Sequence, residues 1–299
     1  MRLVVILGPT ASGKTQLAIE VARQTNGAII SADSRQVYRG MDLGTGKDLH
    51  IYGNIPYHLI DILEAGETYH VTQYQEDVHK AVESIRRQGK QPILCGGTGL
   101  YIQSVMQRLD YTIVPVDAAL RAMLEPLAAE TLKEKLRHLP VPSDFKADTS
   151  TKKRLIRAIE IATWCQQYTL PPNPYPPLSA TIFGINPPVE TRRQRITERL
   201  QKRLDEGLID EVRLLLQRGI PPERLVYYGL EYKYITQYLL GEMDYHMFFA
   251  RLNTEIHRFA KRQMTYFRKM EKDGLKIHWL KWQLIENMAI DVVENLRKA

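Results

Sequence analysis

The sequence predicts an α/β fold, a mostly parallel sheet with flanking helices and a helical insertion domain. Three observations predict it. Residues 1–109 alternate β-prone and helix-prone runs. A glycine-rich turn joins the first such strand to the first helix. From about 110 to 178 the strand pattern gives way to amphipathic helices, and it resumes at 179. The core is therefore expected in two parts, 1–109 and 179–299, around an insertion at 110–178.

Leu3-Val4-Val5-Ile6-Leu7 is apolar and rich in β-branched residues, so it opens the sheet. Leu17, Ala18, Val21 and Ala22 recur at helical spacing behind it. Ala28-Ile29-Ile30-Ser31-Ala32-Asp33 is a second strand, Val71–Gln88 a helix, and Pro92-Ile93-Leu94-Cys95 another buried strand. Within the insertion, 117–138 and 152–167 read as helices, and the proline-rich 171–177 as a stiff linker. Ala180–Ile185 is a core strand, with helices at 189–206, 208–217, 230–240 and 245–271. Ile277–Leu280 is a last edge strand before a final helix.

Composition excludes several classes. At 299 residues, 44% hydrophobic and 25% charged, the chain is neither disordered nor fibrous. Cys95 and Cys165, the only cysteines, are too few for a disulfide framework or a thiolate metal site, and fit a reducing cytoplasm. No apolar stretch reaches bilayer length, and the first strand starts almost at Met1, so neither a membrane partner nor a leader is expected. The eight histidines show no metal-binding spacing. The net charge of +7 permits a polyanionic partner, and its basic residues gather after position 150.

Gly8-Pro9-Thr10-Ala11-Ser12-Gly13-Lys14-Thr15 fits G-x-x-x-x-G-K-[ST], between a strand and a helix as that motif requires. This makes the fold P-loop NTPase-like. The loop's N–H groups and the helix N-terminus would cradle a di- or triphosphate. Lys14 would reach a terminal phosphate and the Thr15 hydroxyl would help hold Mg²⁺. The loop does not say which molecule carries the phosphate.

Two further turns are expected at the same rim, because ligands of parallel sheets bind beyond the strands' carboxyl ends. One carries Asp33, whose carboxylate could hold Mg²⁺, orient a nucleophile, act as a general base, or simply cap its turn. The other, Gly96-Gly97-Thr98-Gly99, either admits a close ligand or is only a tight turn. Basic helix faces follow at Lys152–Arg157, Arg192–Arg203 and Arg258–Lys269. Such faces are solvated surface or, taken together with a phosphate site, a nucleic-acid surface.

Taken in order, these segments resemble the tRNA dimethylallyltransferase family. The resemblance rests on GPTASGKT at 8–15, ISADSRQVYRGMDLGTGK at 30–47 and YHLIDI at 57–62. It continues through PILCGGTGLYI at 92–102, KKRLIRAIEI at 152–161, RQRITERL at 193–200 and KRQMTYFR at 261–268. It implies that the loop holds the diphosphate of dimethylallyl diphosphate, and that the allyl carbon passes to N6 of adenine 37 beside the tRNA anticodon. Asp33 matches the family's base, with Lys14, Thr15-bound Mg²⁺ and Arg199 stabilising the departing diphosphate. Thr10, Ser12 and Gly13 match further diphosphate contacts. Asp33, Ser34, Arg35, Gln36, Thr98, Lys153, Arg154, Arg157, Lys261, Arg262, Gln263 and Arg268 match positions facing tRNA. The insertion would grip the anticodon stem, and the enzyme would act as a monomer.

The chain departs from the family twice. It has Gly44-Thr45-Gly46-Lys47-Asp48 where GTAKP is common, and Tyr228-Gly229-Leu230-Glu231 where V-G-Y-[RK] is common. The second sets Glu231 in place of a cation near the expected RNA surface, which bears on tRNA recognition before chemistry. Two rival readings share the loop: a transferase acting on free adenine nucleotides, and a small-molecule kinase using ATP.

Overall fold

The computed structural model describes residues 1–143 and 145–298. It divides into two compact units, Met1–Gln107 with Pro177–Ala299, and Arg108–Pro176. In the first unit six strands form one parallel sheet: β1 (Leu3–Leu7), β2 (Gly27–Ala32), β3 (Tyr57–His58), β4 (Gln91–Gly96), β5 (Ala180–Gly184) and β6 (Ile277–Trp279). Their spatial order is β3-β2-β4-β1-β5-β6, and every pairing is parallel.

All five residues of β1 are fully buried, because a central parallel strand is covered on both faces. Val4 and Ile6 pack with Leu17 and Val21 of α1 (Lys14–Thr25) and with Met288 and Val292 of α12 (Ile285–Lys298). Leu3, Val5 and Leu7 face the opposite layer. There they share a core with Val78 of α2 (Val71–Arg87), Ile102 of α3 (Gly99–Met106) and Phe267 of α11 (Tyr245–Lys272). α7 (Val189–Asp205), α8 (Leu208–Gln217), α9 (Pro222–Tyr228) and α10 (Leu230–Leu239) complete this layer. The chain leaves the unit after α3 and returns beside its exit, where the Leu178 N–H donates to the Val105 carbonyl at 2.9 Å.

The second unit is helical, and its helices differ from the expected pair. Residues 117–138 form two helices, α4 (Ala118–Leu124) and α5 (Ala129–Arg137), because Pro126 has no N–H to continue the ladder. With α6 (Lys152–Gln167) they enclose Leu124, Leu132, Leu136, Leu155 and Ile159. Glu160 is buried against this core and receives Arg121 at 2.9 Å, Arg157, and the Asp117 N–H at 2.6 Å. Burial alone would raise its pKa, but the two guanidiniums outweigh that and lower it. Glu160→Ala strands both cations and should loosen the segment by about 3 kcal/mol, the low end for a broken buried pair because both arginines keep some solvent. Hydrogen exchange across 108–176 in the intact chain would read it as lost protection. Among the described residues no helix is long and apolar enough to cross a membrane.

Candidate active site

The register of the sheet sets the site. Leu7 pairs with Gly96, and Gly96 with Ala32, so β1, β4 and β2 end level and release their loops side by side. From β1 comes the phosphate loop. Gly13, at φ +84°, precedes α1 with no side-chain cap, which leaves the N–H groups of the first turn to a ligand. Ser12 is fully buried, and its hydroxyl has no hydrogen-bond partner among the described residues. A β-carbon at Gly8 would sit 2.6 Å from that hydroxyl and 2.9 Å from the Ile185 carbonyl. The loop is thus closed on the sheet side and has unmet donors on the other.

From β2 comes Asp33. Its Oδ1 accepts the Arg35 N–H at 2.9 Å, so the carboxylate does cap its turn. Its Oδ2 takes no hydrogen bond or ion pair among the described residues. From β4 comes Gly97, followed by Thr98, whose hydroxyl accepts the Ser34 N–H at 3.1 Å.

Helix α11 locks the loops together through Gln263. Its Oε1 accepts the Thr10 N–H at 2.8 Å, and its Nε2 donates to the Gly97 carbonyl at 2.9 Å. The glycines of Gly96-Gly97-Thr98-Gly99 let this helix approach. A β-carbon at Gly97 would overlap the Gln263 amide, and one at Gly99 would overlap the Tyr266 ring.

These loops, α7, the α9–α10 junction and α11 enclose a cavity of about 560 Å³. Thr10, Lys14, Thr15, Asp33, Ser34, Arg35, Gln36, Thr98, Arg199, Arg262 and Gln263, all anticipated from sequence, line it together. The cavity wall also carries apolar and aromatic groups, including Leu230, Ile256, Phe259, Tyr227 and Tyr266. Arg35 lies 5.2 Å from the centre of the Tyr227 ring. Arg199 reaches across from α7 to donate to the Thr10 hydroxyl.

Burial lowers the pKa of Lys14, opposed by Cys95 and Asp33 and reinforced by Arg199 and Arg203. It brings Arg199 down to about 10, with Arg203 adding to the effect, so Arg199 stays a cation at neutral pH. It pushes the Cys95 thiol up to about 11, which leaves that sulfur unreactive.

Other anticipated residues lie elsewhere. Gly8, Pro9, Ala11, Ser12 and Gly13 form the backbone of the loop and do not line the cavity. Lys261 and Arg268 are exposed on α11. Lys153 and Arg154 are exposed on α6, where Arg154 pairs with Asp148 at 2.8 Å. Arg157 turns into its own unit, onto Glu160 and the carbonyls of Tyr111 and Val114.

Sequence reasoning missed Asp48, Arg203 and the true setting of Glu231. Glu231 lines the cavity. Its pKa is raised by burial, with Arg203 and Arg199 opposing the rise. The available signal for Arg203 was its spacing: it stands four residues after Arg199 on α7, hence on the same face.

The IPP transferase family model matches residues 36–270. A tRNA dimethylallyltransferase 1 of Azobacteroides pseudotrichonymphae is 50% identical over 93% of this chain and 92% of its own length. A tRNA dimethylallyltransferase 2 of Bacteroides fragilis is 48% identical over 99% of this chain and 98% of its own. The crystal structure of a tRNA delta(2)-isopentenylpyrophosphate transferase from Staphylococcus epidermidis superposes with a TM-score of 0.72 at 31% identity, covering 99% of this chain and 98% of that one. A family match of that extent, joined to relatives close to half identical from end to end, places the chain in the tRNA dimethylallyltransferase, or IPP transferase, family.

Proposed function

We propose that this protein transfers the dimethylallyl group of dimethylallyl diphosphate to N6 of adenine 37 in tRNA, releasing diphosphate and leaving N6-isopentenyladenosine. One observation carries the reading: a single cavity joins the phosphate loop and its cations to a free carboxylate oxygen and an apolar, aromatic wall. A diphosphate needs the first, an amine losing a proton the second, and a prenyl chain beside a planar base the third.

The diphosphate lies along the N–H groups of the first turn of α1, at Lys14 and Thr15. Lys14 and Arg199 meet the negative charge that grows as the allylic C–O bond breaks. The adenine amine attacks the allylic carbon, and Asp33 Oδ2 takes the proton it sheds. Tyr227, Phe259 and Tyr266 offer faces against which an extruded base can stack.

Mg²⁺ fits the donors present. The Thr15 hydroxyl and Asp33 carboxylate are hard oxygen ligands, and among the described residues no group of three carboxylate, histidine or cysteine side chains forms a cage. That suits an ion carried mainly by phosphate oxygens and water. Bound there, it would neutralise charge on the leaving diphosphate.

The exposed cations Lys153, Arg154, Lys261 and Arg268 remain for tRNA phosphates, with the 108–176 unit as the grip on the anticodon stem. Arg157 serves that grip by holding α6 in place.

The test is an acceptor competition with labelled dimethylallyl diphosphate and Mg²⁺, offering tRNA, AMP or neither. Label should pass to tRNA and leave AMP unmarked. Prenylation of AMP would make the protein a nucleotide transferase, and phosphoryl transfer from ATP to a small acceptor would make it a kinase.

A further inference from the structure

The two departures from the family pattern lie far apart in the chain, at Gly46 and Asp48 and at Glu231. In the fold they line the same cavity, together with Arg203. The Arg203 side chain is 7% exposed, and its Nη2 meets Asp48 Oδ2 at 3.4 Å. Its guanidinium lies against the backbone of Gly46, where a β-carbon would stand 2.8 Å from Cζ.

The backbone of this loop depends on the same residues. Gly46 has φ +67° and Asp48 has φ +43°. Glycine adopts the first without cost, and aspartate tolerates the second. The alanine and proline common at these positions do not suit it: alanine would be strained and would collide with Arg203, and proline is fixed near φ −65°. Lys47 between them is buried, donating to the Tyr38 carbonyl at 2.6 Å, to Asp42 Oδ1 at 2.7 Å and to Asp61. The loop is therefore anchored, and its shape is what seats Arg203.

The charges complete the picture. Arg199 and Arg203 face the cavity from one side of α7, and both act electrostatically on Lys14 and on Glu231. Glu231 and Asp48 are counter-charges that let two guanidiniums share a confined space before any anion arrives.

On the transferase reading above, we propose that Arg203 is a second diphosphate-binding cation beside Arg199, seated by Gly46 and Asp48.

Calorimetric titration with inorganic diphosphate tests this with no catalysis involved. Arg203→Gln keeps most of the volume and drops the charge, and should weaken diphosphate binding roughly ten- to a hundredfold, as expected for a charge-assisted contact. The KM for dimethylallyl diphosphate should rise in parallel and the KM for tRNA should hold. Gly46→Ala displaces Arg203 without altering its charge, and should move both donor readouts the same way. Adding Glu231→Arg to Arg203→Gln should restore diphosphate binding, which no purely structural role for Arg203 would predict. Unchanged diphosphate affinity in folded Arg203→Gln overturns the proposal, and so does unchanged affinity in Gly46→Ala should the first variant not fold. A wild-type protein that binds diphosphate but passes no label to tRNA would count against the transferase reading and leave this one standing.

Discussion

Asp33→Asn slows single-turnover transfer by roughly two to four powers of ten, while the affinities for donor and tRNA change little. The geometry makes this substitution clean. Oδ1 is occupied by the Arg35 N–H, and asparagine presents the same carbonyl oxygen to that bond, so the turn after β2 keeps its cap. What disappears is the second oxygen, the one able to take a proton from the N6 amine. Because the loss falls on the transition state, kcat should drop with kcat/KM and ground-state binding should not. The competing role for Asp33 is as a ligand of Mg²⁺. In that case the substitution weakens donor binding and added Mg²⁺ recovers part of the rate. Single-turnover kinetics across a Mg²⁺ series distinguishes the two, and recovery by metal would remove Asp33 from the base role.

Lys14→Ala lowers turnover by about two to three powers of ten, the range for removing one preorganised group that faces developing charge. It should weaken donor binding as well, since a diphosphate is anionic before the bond breaks. Folding should survive. Lys14 lines the cavity, and among the described residues the only hydrogen bond of its ammonium is a long one, 3.5 Å, to the Pro9 carbonyl. Burial already lowers its pKa, so the ammonium sits there at a cost that the variant removes. Thermal unfolding without ligand should therefore stay level or rise, while the stabilisation given by inorganic diphosphate shrinks. A variant that unfolds, or one that retains near-full turnover, would make the loop a structural turn.

Much of the fold was legible because its elements carry strong local signals. The strand β1 is an unbroken apolar run, β4 and β5 are apolar for most of their length, and α2 and α11 are long periodic helices. What escaped had no such signal. β3 is two residues long, and α9 begins at a proline after a glycine-containing turn. The break in 117–138 hinged on one proline inside an otherwise helical pattern. At the site, residues in contiguous motifs were readable: the phosphate loop, Asp33, Thr98 and Gln263. The function given to Gln263 was not, because its clamp on Thr10 and Gly97 joins positions more than 160 residues apart. Arg203 and Glu231 were opaque for the same reason. Each looks like a surface charge on its own helix, and only folding brings both to one cavity.

The place of β1 in the sheet constrains how the polypeptide is made. Its neighbours are β4 on one side and β5 on the other, and the 108–176 unit lies between those two strands in the chain. As the protein emerges from the ribosome, β1 through β4 can assemble early. The other edge of β1, an uninterrupted LVVIL, then waits for about another eighty residues before β5 arrives to cover it. An unpaired apolar edge is the element most prone to pair with the wrong chain. Fusing an extra domain into the helical unit would lengthen that wait, so tolerance to such insertions is limited by the kinetics of biosynthesis even where the finished molecule has room for them.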